Sequence, residues 1–462
     1  MTPATAVETA RTSAPPVPMR LEDTGLAPDQ LEQLIVKQLY GGEATGLMLA
    51  DRLRLPFSIL EALVERIRQE RLIEVRGTTG TSNANYRYAL TDLGRARAIQ
   101  YLEINQYTGA APVPLASYVA QMRALAAGRG YIDRERLRRG FSHLVVGDPI
   151  LDQLGPAANA NKAIFLYGPP GNGKTVLGEG LGRAIGRDMY MPYAIDVDGQ
   201  IVTMFDPVNH EALEDLEPST GSIIASEPKD RRWVRIRRPV VIVGGELTLD
   251  MLDLTFNPLA RYYEAPLQLK ANGGIFLVDD FGRQRMRPED LLNRWIVPLE
   301  SRVDYLTLHT GKKFQVPFDV LTVFDTNLDP MSLADEAFLR RIPYKIQVED
   351  PSIEQFTKIL ELNCRRRDMK FHPVMAAYLH RRHYLPTNRP LRACQPRDLI
   401  EQVTALCRYR GEEPALNREN LDAACEAYFL DDRKLEAEAF RHREQEKTKR
   451  AHDKGAVAVG VR

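Results

Sequence analysis

The chain is poor in cysteine: Cys364, Cys394, Cys407 and Cys425 are the only four in 462 residues, and none forms a C-x-x-C pair. That excludes a disulfide framework or a cysteine zinc site, so the four read as reduced thiols buried in helices. Net charge is also missing. Lysine plus arginine and aspartate plus glutamate each total 62, so bulk electrostatics argue for neither nucleic acid nor a membrane surface. No apolar run reaches the length of a membrane span, and residues 1–20 lack the apolar stretch of a secretory signal. No membrane insertion is expected, and the default compartment is the cytoplasm. His380 and His383 stand three apart without an acidic partner motif, which argues against a metal site there. No internal repeat is evident.

Against this background one segment stands out. Gly168-Pro169-Pro170-Gly171-Asn172-Gly173-Lys174-Thr175 fits the P-loop pattern G-x-x-x-x-G-K-[ST]. The apolar run Ala163–Tyr167 precedes it as a strand, and a helical segment starts near Thr175. Glycines let the backbone wrap with its N–H groups inward, so the amides and the helix N-terminus form an anion cradle. Lys174 would reach the β- and γ-phosphates of ATP, and the Thr175 hydroxyl would hold Mg²⁺.

The chain is long enough for about three domains. Residues 1–27, rich in Ala, Thr and Pro, are expected to be disordered. Residues 28–105 predict three amphipathic helices, marked by Leu31, Leu34, Ile35 and Leu39, then Leu47, Leu49, Ala50 and Leu53, then Ile59, Leu60, Leu63, Val64 and Ile67. Two strands follow, Leu72–Arg76 and Tyr86–Leu90, around a turn-rich stretch 77–83. Three helices and a β-hairpin resemble a winged-helix domain. Residues 106–139 read as a linker (Tyr107–Pro114) and a helix. The stretch 140–347 alternates strands and helices as an α/β nucleotide-binding domain, 348–431 is helical, and 432–462 is a charged tail.

Four later features extend the P-loop. Ile275–Val278 is an apolar strand that ends in Asp279 and Asp280, one carboxylate for the Mg²⁺ shell and one to orient the attacking water. Val320–Phe324 is a second apolar strand running into Asp-Thr-Asn327, where the Asn327 amide could bond the γ-phosphate or the water. Ala337–Ile342 places Arg340 and Arg341 at the end of a short helix, and guanidinium forks suit a transferring phosphoryl group. Gln395–Leu399 opens a helix carrying Arg397.

This ordered set resembles the AAA+ ATPases, and more narrowly their MoxR-like branch, over roughly residues 140–430. The resemblance implies an α/β P-loop core with a parallel sheet, a C-terminal helical lid and an N-terminal winged helix. Asp279 and Asp280 would be the Walker B pair, with Asp279 on the metal beside Thr175. Asn327 would be sensor 1 and Arg397 sensor 2. Arg340 or Arg341 would be an arginine finger acting in a neighbouring subunit, so the protein would form a homo-oligomeric ring, a hexamer by the family pattern. Leu144–Asp148, with Val146 and Gly147, stands where such proteins enclose adenine. Val303–Leu308 and Phe314–Val316 look like the β-hairpin that precedes sensor 1. The family's second Walker B acid is usually Glu. Asp280 is one methylene shorter, which makes slow hydrolysis or a nucleotide-gated scaffold an alternative.

The long stretch 190–270 has two candidate contact segments. Asp198–Asp206 occupies the place of a central-pore loop, where Met204 and Phe205 would grip an extended polypeptide or else pack into the core. Arg231–Arg238 holds five arginines and Trp233, and could meet phosphates or an acidic protein. The plainer reading is a solvated face paired with Glu227 and Asp230. The third helix's outer face mixes Glu61 and Glu65 with Arg66 and Arg68, so partner docking is favoured over DNA contact. The expected function is an ATP-hydrolysing ring that remodels or assembles an unidentified partner protein. A DNA-associated ATPase, a transcription regulator or remodeller, is the alternative. No motif supports proteolysis, kinase transfer or metal chemistry beyond Mg²⁺.

Overall fold

The computed structural model describes residues 14–78, 80–186, 188–213, 229–333 and 336–429. These form two compact units, one from residues 1–168 and 174–348, the other from 169–173 and 349–462. The 1–13 part of the expected disordered leader, Glu227 and the charged tail 432–462 lie outside the described residues.

The first unit begins with α1 (Pro28–Tyr40), β1 (Ala44–Thr45), α2 (Gly46–Leu53), α3 (Phe57–Gln69), β2 (Ile73–Thr78), β3 (Tyr86–Leu90) and α4 (Asp92–Ile104). Local chemistry sets the helix starts. Pro28 occupies the first turn of α1, the Gln30 side chain accepts from Ala27 N at 2.9 Å, and Thr45 and Thr91 cap α2 and α4. The strands pair antiparallel in the order β1-β3-β2, with a bulge between Val75 and Gly77. Leu31, Leu34, Ile35, Leu60, Leu63 and Ile67 fill the space beneath.

Two expectations for the chain around this domain are corrected. Residues 14–27 pack instead of trailing: Asp230 N donates to Pro15 O at 2.9 Å, and Thr24 is buried. Tyr107–Pro114 is not a loose linker. Tyr107 is buried edge-on against Tyr262, and β4 (Val113–Pro114) joins a sheet. In both, apolar groups find partners far away in sequence.

The chain continues through α5 (Leu115–Ala127), α6 (Arg134–Gly140), α7 (Asp148–Ala160), β5 (Ile164–Tyr167) and α8 (Lys174–Ile185). Next come β6 (Met189–Pro192), β7 (Ala194–Val197), β8 (Gln200–Thr203), β9 (Trp233–Ile236), β10 (Val240–Val243), β11 (Thr255–Asn257) and β12 (Tyr262–Glu264). After α9 (Leu267–Lys270) and β13 (Ile275–Val278) come α10 (Pro288–Arg294), α11 (Ile296–Ser301) and the hairpin β14 (Val303–Thr307)–β15 (Lys313–Pro317). The unit closes with β16 (Leu321–Thr326), α12 (Pro330–Leu333), α13 (Glu336–Leu339) and β17 (Tyr344–Gln347).

The central sheet is wholly parallel, in the order β10-β13-β16-β5-β17. Its three inner strands, β13, β16 and β5, are buried and read as largely apolar runs because both faces are covered. Ile164, Leu166, Ile275, Leu277 and Val323 face Leu177 and Leu181 of α8, while Phe165, Phe276, Val278 and Phe324 pack around Trp295 on the other face. A Cβ on Gly178 would lie 2.0 Å from Leu277 Cδ1, so α8 sits on β13 only because glycine is there. This is an α/β core whose parallel sheet carries the P-loop sequence directly after β5. A second sheet, β11-β12-β8-β7-β4, and the β6–β9 pair pack around a core of Met189, Met191, Val202, Trp233 and Tyr263.

The other unit is helical: α14 (Ile353–Arg365), α15 (Pro373–Leu379), a π-helical turn at His380–Tyr384, α16 (Gln395–Arg410) and α17 (Arg418–Tyr428). Ser352 and Gln355 form a capping box at α14, and Gly411 ends α16 at φ 74°. Cys364, Cys407 and Cys425 are buried free thiols in its core, and Cys394 is half-buried before α16. His383 Nε2 lies at hydrogen-bond distance, 2.7 Å, from Asp422 Oδ1. Among the described residues no helix is long and apolar enough to cross a membrane.

Candidate functional site

Parallel strands present all their carboxyl ends at one edge of the sheet, where open α/β folds bind ligands. There β5 runs into the P-loop, β13 into Asp279 and Asp280, and β16 into Asn327. Gly168 turns at φ 137°, and a Cβ there would stand 2.4 Å from Val348 O, so only glycine lets the chain leave β5 this way. Gly173 turns at φ 76°, and α8 begins at Lys174.

Five sequence-predicted residues join in two short hydrogen-bond runs at this edge. Lys174 Nζ donates to Asn327 Oδ1 at 2.6 Å and to Gly168 O at 3.2 Å. Asn327 Nδ2 donates to Asp280 Oδ1 at 2.7 Å. The Thr175 hydroxyl lies 3.0 Å from Asp279 Oδ1 and 2.9 Å from Asp325 Oδ2. Lys174, Thr175, Asp279, Asp280 and Asn327 are therefore together, as the sequence spacing implied.

Asp280 carries the turn after β13 at φ 49°, a left-handed conformation that aspartate tolerates better than most residues. Gln284 holds this turn: its amide donates to Asp279 O at 2.8 Å and Asp280 O at 3.2 Å, and it accepts from Gly282 N at 2.8 Å. The shorter acid thus comes with its own backbone geometry.

Sequence reasoning missed Asp325 and Gln284. Asp325 was visible only as part of a polar strand end. Its side chain and that of Lys174 are each 4% exposed, with Lys174 Nζ 3.7 Å from Asp325 Oδ1. Burial pushes the Asp325 carboxyl up to about 7, against the opposing pull of Lys174 and Thr175. Strand alternation was a usable signal. Val323 faces α8, so Asp325, two residues on, faces α8 as well. Gln284 lies in a loop and left no periodic trace.

The two arginines after α13 differ. Arg341 Nε donates to Glu300 Oε1 at 2.6 Å and is only 18% exposed, whereas the Arg340 side chain is exposed and makes no ion pair among the described residues. Val146 and Gly147 are half-buried just before α7, with Val146 packed against the apolar layer that contains Leu166 and Leu177. The P-loop residues Pro169–Gly173 belong to the helical unit. Within it Asn172 is buried, its amide donates to Asp350 Oδ1 at 2.7 Å, it accepts from Ala393 N at 3.1 Å, and Cys394 N donates to Gly171 O at 2.8 Å. Arg397, in the same unit, is exposed and bonds its neighbour Asp398 at 2.9 Å.

Of the two contact candidates, the first is drawn into the core and the second is partly buried and ion-paired. Met204 is fully buried in the core of the second sheet, and Phe205 packs edge-on to Tyr193 and stacks on His210. Within Arg231–Arg238 only Trp233–Ile236 is strand, and Trp233, Arg232 and Arg238 are buried. Arg231 pairs with Asp51, Arg235 with Asp188, and Arg237 with Glu211 at 3.3 Å.

Residues 352–427 match a family model described as a domain of unknown function (DUF8689). No curated protein sequence matches the chain. Among solved structures, a RuvB variant from Thermotoga maritima is similar at 13% identity and TM-score 0.36, covering 65% of this chain and 72% of that one. NtrX from Brucella abortus is similar at 17% identity and TM-score 0.38, covering 72% of this chain and 66% of that one. A Thermotoga maritima RuvB described as a Holliday junction branch migration motor is similar at 13% identity and TM-score 0.35, covering 65% and 71%. The functional reading rests on the site's own geometry.

Proposed function

We propose that this chain hydrolyses ATP to ADP and phosphate as an oligomeric AAA+ ring of the MoxR-like kind, and uses the cycle to remodel or assemble a partner protein. The carrying observation is the continuous hydrogen-bond chain from Lys174 through Asn327 to Asp280, with Thr175 bonded to Asp279 beside it. The donor set fits a nucleotide and its metal: a glycine-permitted loop, one ammonium, one hydroxyl and a strand-end carboxylate. Thr175 and Asp279 would hold Mg²⁺, which when bound neutralises charge on the β- and γ-phosphates.

The chain's own groups divide the remaining work. Lys174 gives up Asn327 for phosphate oxygens, since both are anionic or carbonyl acceptors for the same ammonium. Asp280 accepts a proton from the attacking water, which Asn327 orients through its amide. Arg340, exposed and without an ion pair among the described residues, is the better finger for a neighbouring subunit. Support for protein-directed action, not DNA-directed, comes from α3. Arg66 pairs with Glu32 and with Asp29 at 3.2 Å, and Arg68 with Glu65 at 3.2 Å, which leaves no basic footprint on that helix. The partner would dock on the winged-helix-like domain or the charged tail.

The test is ATP turnover as a function of protein concentration. Arginine fingers contribute about 10³–10⁵ in rate, so specific activity should climb steeply as the ring assembles. Arg340→Ala should abolish that climb, while Arg341→Ala should act mainly on stability through Glu300. A dilute monomer turning over at the full specific rate would sink the ring assignment.

A further inference from the structure

The geometry points to Asp325 as a second magnesium-side carboxylate, forming with Thr175 and Asp279 the protein's share of the cation shell around bound ATP. This rests on the ATPase reading above and adds a residue to that site. Register brings the two acids together. β13 and β16 pair in parallel with Val278 beside Phe324, so the next step along both strands sets Asp279 beside Asp325. Both meet the same hydroxyl, Thr175 Oγ1, within 3.0 Å.

That arrangement is short of positive charge. A hydroxyl has one proton to give, so it satisfies one carboxylate oxygen and leaves the other facing its lone pairs. Lys174 meets this charge only in part: its ammonium pairs with Asp325 Oδ1 at 3.7 Å, while a shorter bond of 2.6 Å runs to Asn327 Oδ1. A carboxylate buried at the end of an apolar strand is costly unless a cation meets it. Among the described residues no group of three or more His, Cys, Asp or Glu side chains gathers for a metal. Two carboxylates and a hydroxyl match the way Mg²⁺ is held, by few protein oxygens with substrate phosphates completing its shell.

The two roles open to Asp325, metal carboxylate or counter-ion to Lys174, predict opposite results. The probe is a fluorescent ATP analogue, titrated onto the full chain with Mn²⁺ and again with excess EDTA, alongside Mn²⁺ binding read by electron paramagnetic resonance. Asp325→Asn should weaken Mn²⁺ and metal-dependent nucleotide affinity by about 10–100-fold. In EDTA the same variant should bind the analogue as well as wild type or tighter, because a carboxylate that repels phosphate is gone. Equal weakening with and without metal, or no change in either, overturns the inference. Wild type that binds no analogue under either condition overturns the ATPase reading instead. If Asp325→Asn does not fold, Asp325→Ser, which keeps a hydrogen-bonding oxygen for Thr175, carries the same comparison.

Discussion

Replacing Asp280 separates chemistry from architecture at this site. Asparagine is nearly isosteric, tolerates the left-handed φ of 49°, and still offers Oδ1 to the Asn327 amide now 2.7 Å away. Gln284 holds the turn through backbone oxygens of residues 279 and 280, which the substitution leaves in place. Folding stability should therefore stay within about 0.5 kcal/mol of wild type. A positioned general base contributes about 10²–10⁴ in rate, or roughly 3–5 kcal/mol of barrier. Asp280→Asn should lose that much steady-state phosphate release while keeping its affinity for the ATP analogue and its melting temperature.

Asp280→Glu probes the opposite concern, that aspartate is a weakened family glutamate. Glutamate in a left-handed turn costs about 1–2 kcal/mol, and the added methylene displaces the carboxylate from Asn327. If the turn is built around the shorter acid, the Glu variant turns over more slowly than wild type. An Asp280→Asn variant whose turnover stays within about threefold of wild type refutes the role of Asp280. A large gain in the Glu variant, on a wild type that barely hydrolyses, would favour the nucleotide-gated scaffold.

Arg232→Met should destabilise the full chain by about 3–5 kcal/mol in urea titrations, because it leaves Asp230 buried without its cation. Both side chains are 4% exposed, and Arg232 also donates to Thr24 O at 2.9 Å and Pro112 O at 3.3 Å. Adding Asp230→Ala should recover much of that loss, and no recovery would show the carboxylate is not the cause. Burial lowers the Lys37 ammonium from 10.5 to about 8. The unfolded chain then binds more protons between those values, so stability should rise with pH from 8 to 10.5, by about 3 kcal/mol. Lys37→Met should flatten that rise in pH-dependent melts, and an unchanged slope would assign it elsewhere. Gln284→Ala should lower turnover more than ATP affinity, since it loosens the Asp280 turn and touches no group on the phosphates; equal losses in both would contradict this.

Much of the site was legible without coordinates, because its parts are local signals. Glycine spacing marks the loop from Gly168 to Thr175, and an apolar run that stops at a carboxylate or amide marks Asp279, Asp280 and Asn327. Parallel strands buried on both faces end at the same edge, so residues that follow them in sequence meet in space. Asp325 shows the limit of that reading. Alternation along β16 puts it on the α8 face, but its pairing with Asp279 depends on the register between strands 46 residues apart, Val278 beside Phe324.

Sequence alone determined the alternating α/β core, the helical C-terminal part and the residues that gather at the sheet's carboxyl edge, since these follow from periods of two and 3.6 and from glycine's conformational freedom. Tertiary structure decided which charges are buried and which apolar residues are exposed. Met204 read as a candidate grip and lies in the core, and Arg232 read as a solvated cation and lies at the join of three segments. Its partners stand 208 and 120 residues away at Thr24 and Pro112. Local pattern carries no information about a hydrogen bond of that span, because the energy that fixes it comes from desolvating both ends together.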